Sequence, residues 1–240
     1  MRLDKLLAKT GFGSRKNVKQ LIREKRVTIN DAIVRDPSQH VNLNAEKVLV
    51  DGAPVNYQEF YYLMLNKAPG YISATEDRVE KTVIDLLPQH YQALKLFPVG
   101  RLDKDTEGLL LLTNDGELGH ILTSPRQEII KVYYAKIIGK VTEEDVEAFA
   151  KGLTLKDGYV AKPAQLKIKS ADEISEIEVT ITEGKFHQVK RMFEAVGKEV
   201  QYLQRIKMGE IELDRTLAIG DFRELKEAEL AYCLGLKEGR

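Results

Sequence analysis

Four consecutive leucines, at residues 109–112, directly follow the most polar segment of the sequence, residues 100–108. This apolar run is far too short to cross a bilayer, and a turn sequence that begins at Asn114 ends it. We therefore interpret residues 109–112 as a buried strand. A polar loop that enters a buried strand is held at a fixed position, which suits a functional carboxylate.

Other periodic segments indicate an α+β chain in which strands outnumber helices. Residues 129–138 have the composition of a strand, and residues 175–181 alternate between polar and apolar side chains. Residues 142–145 resemble a capping box that opens a helix, and a further helix is predicted over residues 184–196. The strands predict a mostly antiparallel sheet.

The first part of the chain differs in charge from the rest. Residues 1–35 contain ten lysines or arginines and three acids, a net charge of +7, whereas residues 36–240 carry −7. Two short helices, the second capped by Ser14, are predicted to expose this basic charge. Such a surface suits an anionic polymer, although a pair of solvated helices gives the same pattern. A polar linker near residues 54–59 predicts two domains, residues 1–58 and 59–240.

Three interpretations of the polar loop remain open from the residue pattern alone. Asp103, Asp105 and Glu107 have the spacing of calcium ligands, but Asn114 stands where a bidentate glutamate is required. The second interpretation is an aspartyl-phosphate nucleophile, but no glycine-rich phosphate loop accompanies it. The third is an unphosphorylated aspartate that acts as nucleophile or base. A charged surface turn also gives this pattern.

Several motifs, in order along the chain, resemble those of known RNA-modifying enzymes. The sequence GRLDKDTEGLLLLTNDG, which contains Asp103, resembles the catalytic signature of the pseudouridine synthases. Residues 131–133, KVY, resemble the K-x-Y motif of that family, and residues 183–191, EGKFHQVKR, resemble its third motif. The start MRLDK and the helix-helix-strand order resemble the S4 family of RNA-binding modules. The whole chain is similar to the RsuA-type branch, which modifies 16S rRNA.

The resemblance implies an S4-like RNA-binding domain followed by a mostly antiparallel-sheet synthase domain. It also implies that Asp103 is the catalytic carboxylate, that Tyr133 packs on a flipped-out base, and that Lys190 pairs with Asp103. Substrate contacts are expected from Arg101, Gln188, Arg191 and Lys67. RNA contacts are expected from Arg2, Lys5, Arg15, Lys16, Lys19 and Arg23. His187 is expected to be a structural hydrogen-bonding group.

The loop that contains Lys67 departs from the family pattern. It reads Asn-Lys-Ala-Pro-Gly, whereas the family loop is usually Asn-Lys-Pro-x-Gly, so the proline is displaced by one position. This departure concerns the shape of the loop and leaves the expected chemistry unchanged.

The implied reaction isomerises one uridine of 16S rRNA to pseudouridine. No atoms are gained or lost, so the resemblance implies no redox cofactor, nucleotide or metal. A synthase acting on 23S rRNA and a non-catalytic RNA-binding ribosome-assembly factor are the alternatives. An unrelated aspartate-dependent glycosidase would need a second catalytic carboxylate, which the sequence does not identify.

The sequence also bears on location and partners. The first 16 residues are charged throughout and lack the apolar core of a signal peptide, and Cys233 is the only cysteine. We therefore expect a cytoplasmic monomer without membrane contact. Its expected partner is ribosomal RNA within a small-subunit assembly intermediate.

Overall fold

A capping residue and two buried apolar residues define the second of the two N-terminal helices. α1 spans Leu3–Lys9 and α2 spans Arg15–Arg23. The hydroxyl of Ser14 accepts a hydrogen bond from the amide three residues later at 3.4 Å, which makes it the N-cap of α2. Val18 and Ile22, about one turn apart, are buried. The predicted cap is confirmed.

Two hairpins complete the N-terminal unit. Its strands are β1 (Val27–Ile29), β2 (Ala32–Ile33), β3 (Val48–Val50) and β4 (Ala53–Pro54). They pair antiparallel in the order β2-β1-β3-β4. Asn30 and Asp31, between β1 and β2, have φ of 48° and 65°, the left-handed values that a two-residue hairpin turn requires.

The computed structural model describes residues 1–43, 45–55 and 57–238. The chain divides into two units, Met1–Glu59 and Phe60–Arg240. The boundary predicted from the sequence lies one residue earlier, and residue 56 of the predicted linker lies outside the described residues. Within the described ranges, no helix is long and apolar enough to cross a membrane.

A nine-stranded sheet organises the larger unit. Its strands are β5 (Tyr62–Lys67), β6 (Phe97–Pro98), β7 (Glu107–Thr113), β8 (Lys131–Ile138), β9 (Gln165–Ser170), β10 (Ile174–Ile181), β11 (Glu199–Met208), β12 (Ile211–Glu212) and β13 (Phe222–Glu224). The order is β13-β5-β7-β11-β8-β10-β9, while β6 pairs with β7 and β12 with β11. Every pair is antiparallel except β7 with β11, which is parallel. The predicted mostly antiparallel sheet is confirmed.

In the described part of the larger unit, five α-helices and two short 3₁₀ segments accompany this sheet. The helices are α3 (Gln89–Gln92), α4 (Gly116–Thr123), α5 (Glu143–Lys151), α6 (Gln188–Ala195) and α7 (Glu227–Glu238), and the 3₁₀ segments are Val83–Leu86 and Pro125–Gln127. The predicted capping box opens α5, where the amide of Thr142 donates to the Asp145 carboxylate at 2.8 Å. This local prediction is confirmed.

The four leucines lie in β7 and are buried on both faces of the sheet. Leu110 and Leu112 belong to the core that contains Tyr133. Leu109 and Leu111 belong to a second core, to which α4 and α7 contribute. A continuous apolar run is what a strand covered on both faces requires. The strand therefore gives the loop before it a rigid end.

α6 begins later than the sequence predicts. A helix was expected over residues 184–196, but the first helical residue is Gln188. His187 has a φ of 48°, and a right-handed helix cannot pass through this left-handed conformation. Residues 184–187 therefore form a loop, and this loop borders the candidate site.

Candidate active site

Asp103 lies on the loop that joins β6 to β7. Gly100 and Gly108, at the two ends of this loop, have φ of 76° and 97°, values that favour glycine. A Cβ at Gly108 would lie 2.3 Å from the carbonyl oxygen of Arg205, so only glycine fits where the loop enters the sheet beside β11. The amide of Thr106 donates to the carbonyl oxygen of Asp103 at 3.1 Å and closes a turn. We call residues 101–106 the catalytic loop, after the role that the sequence motifs predict for Asp103.

Lys67, at the end of β5, is completely buried against the catalytic loop. Its Nζ donates to the carbonyl oxygens of Thr106 at 2.8 Å, Ala68 at 3.1 Å and Lys104 at 3.2 Å. Burial lowers the pKa of the Lys67 ammonium to about 8, although nearby carboxylates act to raise it. The ammonium of Lys67 therefore binds backbone and holds the loop, and its expected contact with substrate stays a prediction.

Ser73 also holds the catalytic loop, and no pattern in the sequence marks it. Its hydroxyl accepts a hydrogen bond from the amide of Leu102 at 2.9 Å and donates to the carbonyl oxygen of Leu102 at 2.9 Å. The amide of Gly70 donates to the carbonyl oxygen of Lys104 at 2.8 Å. The position of Asp103 therefore depends on residues 67–73, which lie about thirty residues earlier in the chain.

Two basic side chains lie near the Asp103 carboxylate. Nε2 of His187 lies 3.5 Å from Oδ1, and Nζ of Lys190 lies 3.9 Å from Oδ2. Both distances are longer than those of ordinary hydrogen bonds, so the interactions are mainly electrostatic. The Asp103 side chain is 28% exposed, which leaves it accessible to a substrate. His187, expected to serve a structural role, thus lies at the candidate carboxylate.

Lys190 makes its short contacts with Asp105. Its Nζ lies 2.7 Å from each carboxylate oxygen of Asp105. Burial acts to raise the pKa of the Asp105 carboxyl, but the hydrogen bonds and charge of Lys190 outweigh burial, and the pKa lies below its ordinary value. The predicted ion pair of Lys190 with Asp103 is thus present at 3.9 Å, and Asp105 is a second, hydrogen-bonded partner that the sequence did not predict.

Tyr133 and Asp103 line the same small cavity. This cavity has a volume of about 60 Å³, and its apolar wall includes Ile181, Val189 and Leu203. Tyr133 is 8% exposed and lies on the buried face of β8. The structure thus brings together the aromatic ring and the carboxylate that the sequence motifs single out.

A larger cavity adjoins the first one. It has a volume of about 460 Å³ and is lined by residues 72–74, residues 101–104, Phe186 and His187. Four residues line both cavities: Arg101, Leu102, Asp103 and His187. The Arg101 side chain is exposed and has no ion pair among the described residues. Among the residues predicted to contact substrate, Arg101 is the one whose charged group has no ion-pair partner in the described part of the chain.

Gln188 and Arg191 hold the loop that precedes α6. The amide oxygen of Gln188 accepts a hydrogen bond from the backbone N–H three residues earlier at 2.8 Å, and its amide nitrogen donates to Glu183. Arg191 pairs with Asp157 and donates to the carbonyl oxygen of Phe186 at 3.3 Å. Both residues were predicted to contact substrate. Their polar groups bind protein and hold this loop in place, and their expected contacts with substrate stay predictions.

Most of the predicted RNA-contacting residues form an exposed basic surface on the N-terminal unit. Five of them are exposed and have no ion pair within the described ranges: Lys5, Arg15, Lys16, Lys19 and Arg23. Arg2 differs, because its guanidinium donates to the Asp4 carboxylate at 2.8 and 3.1 Å. These hydrogen bonds hold the pKa of Asp4 below its ordinary value. Arg2 is therefore partly committed to the protein, although its side chain is 50% exposed.

The geometry does not support the calcium-loop interpretation. Asp105 is bound by Lys190, and Glu107 accepts a hydrogen bond from the Tyr202 hydroxyl at 2.8 Å. Among the residues that the structure describes, no three His, Cys, Asp or Glu side chains are placed to share a metal ion.

Two family descriptions match this fold and site. The description "RNA pseudouridylate synthase" matches residues 61–195, and the description "S4 domain" matches residues 1–47. The chain therefore belongs to the RNA pseudouridine synthase family of isomerases, with an S4 domain in front of the catalytic domain. The predicted fold class, domain order and enzyme family are confirmed.

Individual relatives align over nearly the whole chain. A Bacillus subtilis (strain 168) protein named uncharacterized RNA pseudouridine synthase YtzG is 49% identical over 231 residues, which cover 96% of this chain and 97% of that protein. Ribosomal small subunit pseudouridine synthase A of Escherichia coli (strain K12) is 41% identical over 233 residues, which cover 96% of this chain and 99% of that protein. A crystal structure of a pseudouridylate synthase is 34% identical with a TM-score of 0.68, covering 97% of this chain and 99% of that one.

Proposed function

We propose that this chain converts one uridine of 16S rRNA to pseudouridine, with Asp103 as the essential carboxylate. The position of Asp103 carries this assignment: it lies in the wall of a cavity beside Tyr133, with His187 and Lys190 near its oxygens. The choice of 16S rRNA rests on the Escherichia coli relative, whose name specifies the small ribosomal subunit.

The reaction requires one bond to break and one to form. The N1–C1′ bond of uridine breaks, the base turns, and C5 joins C1′. The proton on C5 leaves, and N1 gains a proton, so the product has the atoms of the substrate. Within structured RNA the glycosidic bond is hidden by stacking, so the uridine must first be flipped out.

Asp103 acts in its ionised form. Addition to C1′ of the ribose, addition to C6 of the base and removal of the 2′ proton all require a carboxylate. The ammonium of Lys190 lies 3.9 Å from one oxygen of this carboxylate. Asp105 holds the Lys190 ammonium in place, so the pair of acids and the lysine act as one charged cluster.

Tyr133 receives the base. Its ring forms part of a cavity with apolar walls, and stacking of a base on an aromatic ring contributes about 1–3 kcal/mol. Its hydroxyl is the group that we assign to removal of the C5 proton in the final step. The ring and the hydroxyl therefore have separable roles.

The N-terminal unit supplies affinity for RNA. Its exposed lysines and arginines are suited to phosphate contacts, which release counterions and carry little sequence information. We propose that the protein acts as a cytoplasmic monomer on a small-subunit assembly intermediate. The catalytic unit then selects the uridine.

Mapping of pseudouridines in rRNA from cells that lack the gene tests the proposal. One pseudouridine is expected to disappear from 16S rRNA and to return when the wild-type gene is restored. Asp103→Asn keeps the size of the side chain but lacks its charge, so it is expected not to restore the modification. Asp172→Asn, which makes the same change at an exposed carboxylate outside this loop, is the matched control and is expected to restore it.

The same map separates the alternatives. Loss of a pseudouridine from 23S rRNA would transfer the proposal to the large subunit. An unchanged map would favour a non-catalytic ribosome-assembly factor. Full restoration by Asp103→Asn would contradict the assignment of the carboxylate.

A further inference from the structure

Phe186 presents an aromatic ring at the second cavity. Its side chain is 71% exposed, and one face stacks on the ring of His187, with centroids 3.8 Å apart and an interplanar angle of 16°. Single exposed apolar side chains are common on protein surfaces. Phe186 is unusual because a neighbouring ring supports one face, while the rest of the side chain is open beside the candidate active site.

The loop that carries Phe186 is fixed before any substrate arrives. The carbonyl oxygen of Phe186 accepts a hydrogen bond from Arg191, and the next residue, His187, is held at a φ of 48°. Gln188 and Glu183 bridge the two ends of the loop. The backbone that carries the ring is therefore held in place, and a loop that is ordered beforehand loses little conformational entropy when a ligand binds.

The two cavities share part of their lining. Asp103 lies in the walls of both, so a ligand in the larger cavity is a direct neighbour of the group in the smaller one. Arg101 also lines both and has no ion pair in the described part of the chain. A guanidinium at the junction is suited to the phosphate that links two adjacent nucleotides.

We propose that the larger cavity binds the nucleotide next to the target uridine, with its base stacked on the open face of Phe186. This inference rests on the proposed function. Flipping the uridine removes a stacking partner from its neighbour, and this loss is part of the cost of flipping. The Phe186 ring replaces that partner, so it stabilises the flipped state and contributes to selection of the site.

The probe is a synthetic RNA that contains the uridine identified by mapping. Three forms are compared: the intact RNA, one with an abasic nucleotide on the 5′ side of the uridine, and one with an abasic nucleotide on the 3′ side. Each is assayed with wild type, Phe186→Ala and Phe186→Tyr. Ile138→Ala, an exposed apolar change at the far end of β8, is the matched control.

With intact RNA, Phe186→Ala is expected to lower kcat/KM by roughly five- to a hundredfold, the range that one stacked base provides. Phe186→Tyr keeps the ring and is expected to act like wild type, as is Ile138→Ala. With an abasic nucleotide on one of the two sides, wild type and Phe186→Ala are expected to become equal. The side that gives this result identifies the neighbour that stacks.

Two other outcomes would contradict the proposed subsite. If Phe186→Ala has the activity of wild type, or loses the same factor on all three RNAs, the subsite does not exist. If the wild-type protein forms no pseudouridine in the intact RNA, the proposed function fails and the proposed subsite fails with it. Circular dichroism of Phe186→Ala checks that the fold is retained.

Discussion

Replacement of Lys67 by methionine tests how the catalytic loop is held. The variant keeps a flexible side chain of similar length but removes the donor to three carbonyl oxygens. In the variant, the carbonyl oxygen of Lys104 still accepts a hydrogen bond from the amide of Gly70. The carbonyl oxygens of Ala68 and Thr106 lose the Lys67 ammonium and gain no such donor in its place. A catalytic group displaced by about 1 Å can lose roughly a hundredfold in rate, and we expect a loss of about this size.

Two opposing effects determine the stability of Lys67→Met. A buried carbonyl left unpaired costs about 1–3 kcal/mol, and the Ala68 carbonyl is only partly buried, so the pair costs at most about 6 kcal/mol. Against this, the variant no longer buries an ammonium whose pKa falls from 10.5 to about 8. That shift corresponds to a penalty of about 3 kcal/mol in wild type, at about 1.4 kcal/mol per pKa unit. We therefore expect a net loss of no more than about 3 kcal/mol at pH 7.

The pH dependence separates these effects. The pKa of Lys67 is lower in the folded state, so the unfolded state binds more protons between about pH 8 and pH 10.5, and stability rises with pH across that window. Below the window both states are protonated, and the full penalty of burial is present. Methionine does not titrate, so the stability of wild type relative to the variant is expected to increase by about 2 kcal/mol between pH 7 and pH 9.5.

Urea unfolding of both proteins at these two pH values measures the difference. Lys104→Met, which changes a half-exposed lysine of the same loop, is the control and is expected to show no such pH dependence. Single-turnover rates on the mapped RNA are measured in parallel. A stability difference that stays constant with pH, or a variant with wild-type turnover, would refute the role assigned to Lys67.

Three further changes probe the remaining contacts. Tyr133→Phe is expected to bind RNA like wild type but to form product more slowly in single-turnover assays, and an unchanged rate would remove the hydroxyl from the mechanism. Lys190→Met removes a cation 3.9 Å from the catalytic carboxylate and is expected to slow turnover about ten- to a hundredfold, whereas Asp105→Asn should change it less than about threefold; equal losses would contradict this order. Changing both Arg15 and Lys16 to alanine is expected to reduce the slope of log affinity against log salt by about one to two, with the rate at saturating RNA unchanged; an intact slope would exclude them as phosphate contacts.

Local interactions account for the parts of the fold that could be predicted from the sequence. The Ser14 cap and the capping box before α5 depend on residues within one helical turn, so the sequence contains all that decides them. The start of α6 depends instead on Glu183, Gln188 and Arg191, which hold the preceding loop in a non-helical form. No periodicity in residues 184–196 records those contacts, and the helix was consequently predicted too long.

In the candidate site, too, the sequence motifs identify some of the residues but not all of their contacts. Motifs single out Asp103, Tyr133 and Lys190, and the folded chain brings them to one place. They do not show that Lys190 binds Asp105 more closely, because the two acids are separated by one residue. Nor do they show that Lys67 is buried, since a lysine in a turn-rich segment is usually exposed.

The rigidity of the catalytic loop comes from outside its own sequence. Lys67 and Ser73 bind its backbone, and the close approach of Gly108 to β11 fixes its end. These contacts are directed at main-chain atoms, so they constrain the position of Asp103 whatever side chains the loop carries. A sequence motif can therefore identify the carboxylate, while its placement depends on distant residues that bind the backbone of the loop. Substitutions at those distant residues are expected to change the rate without changing affinity for RNA.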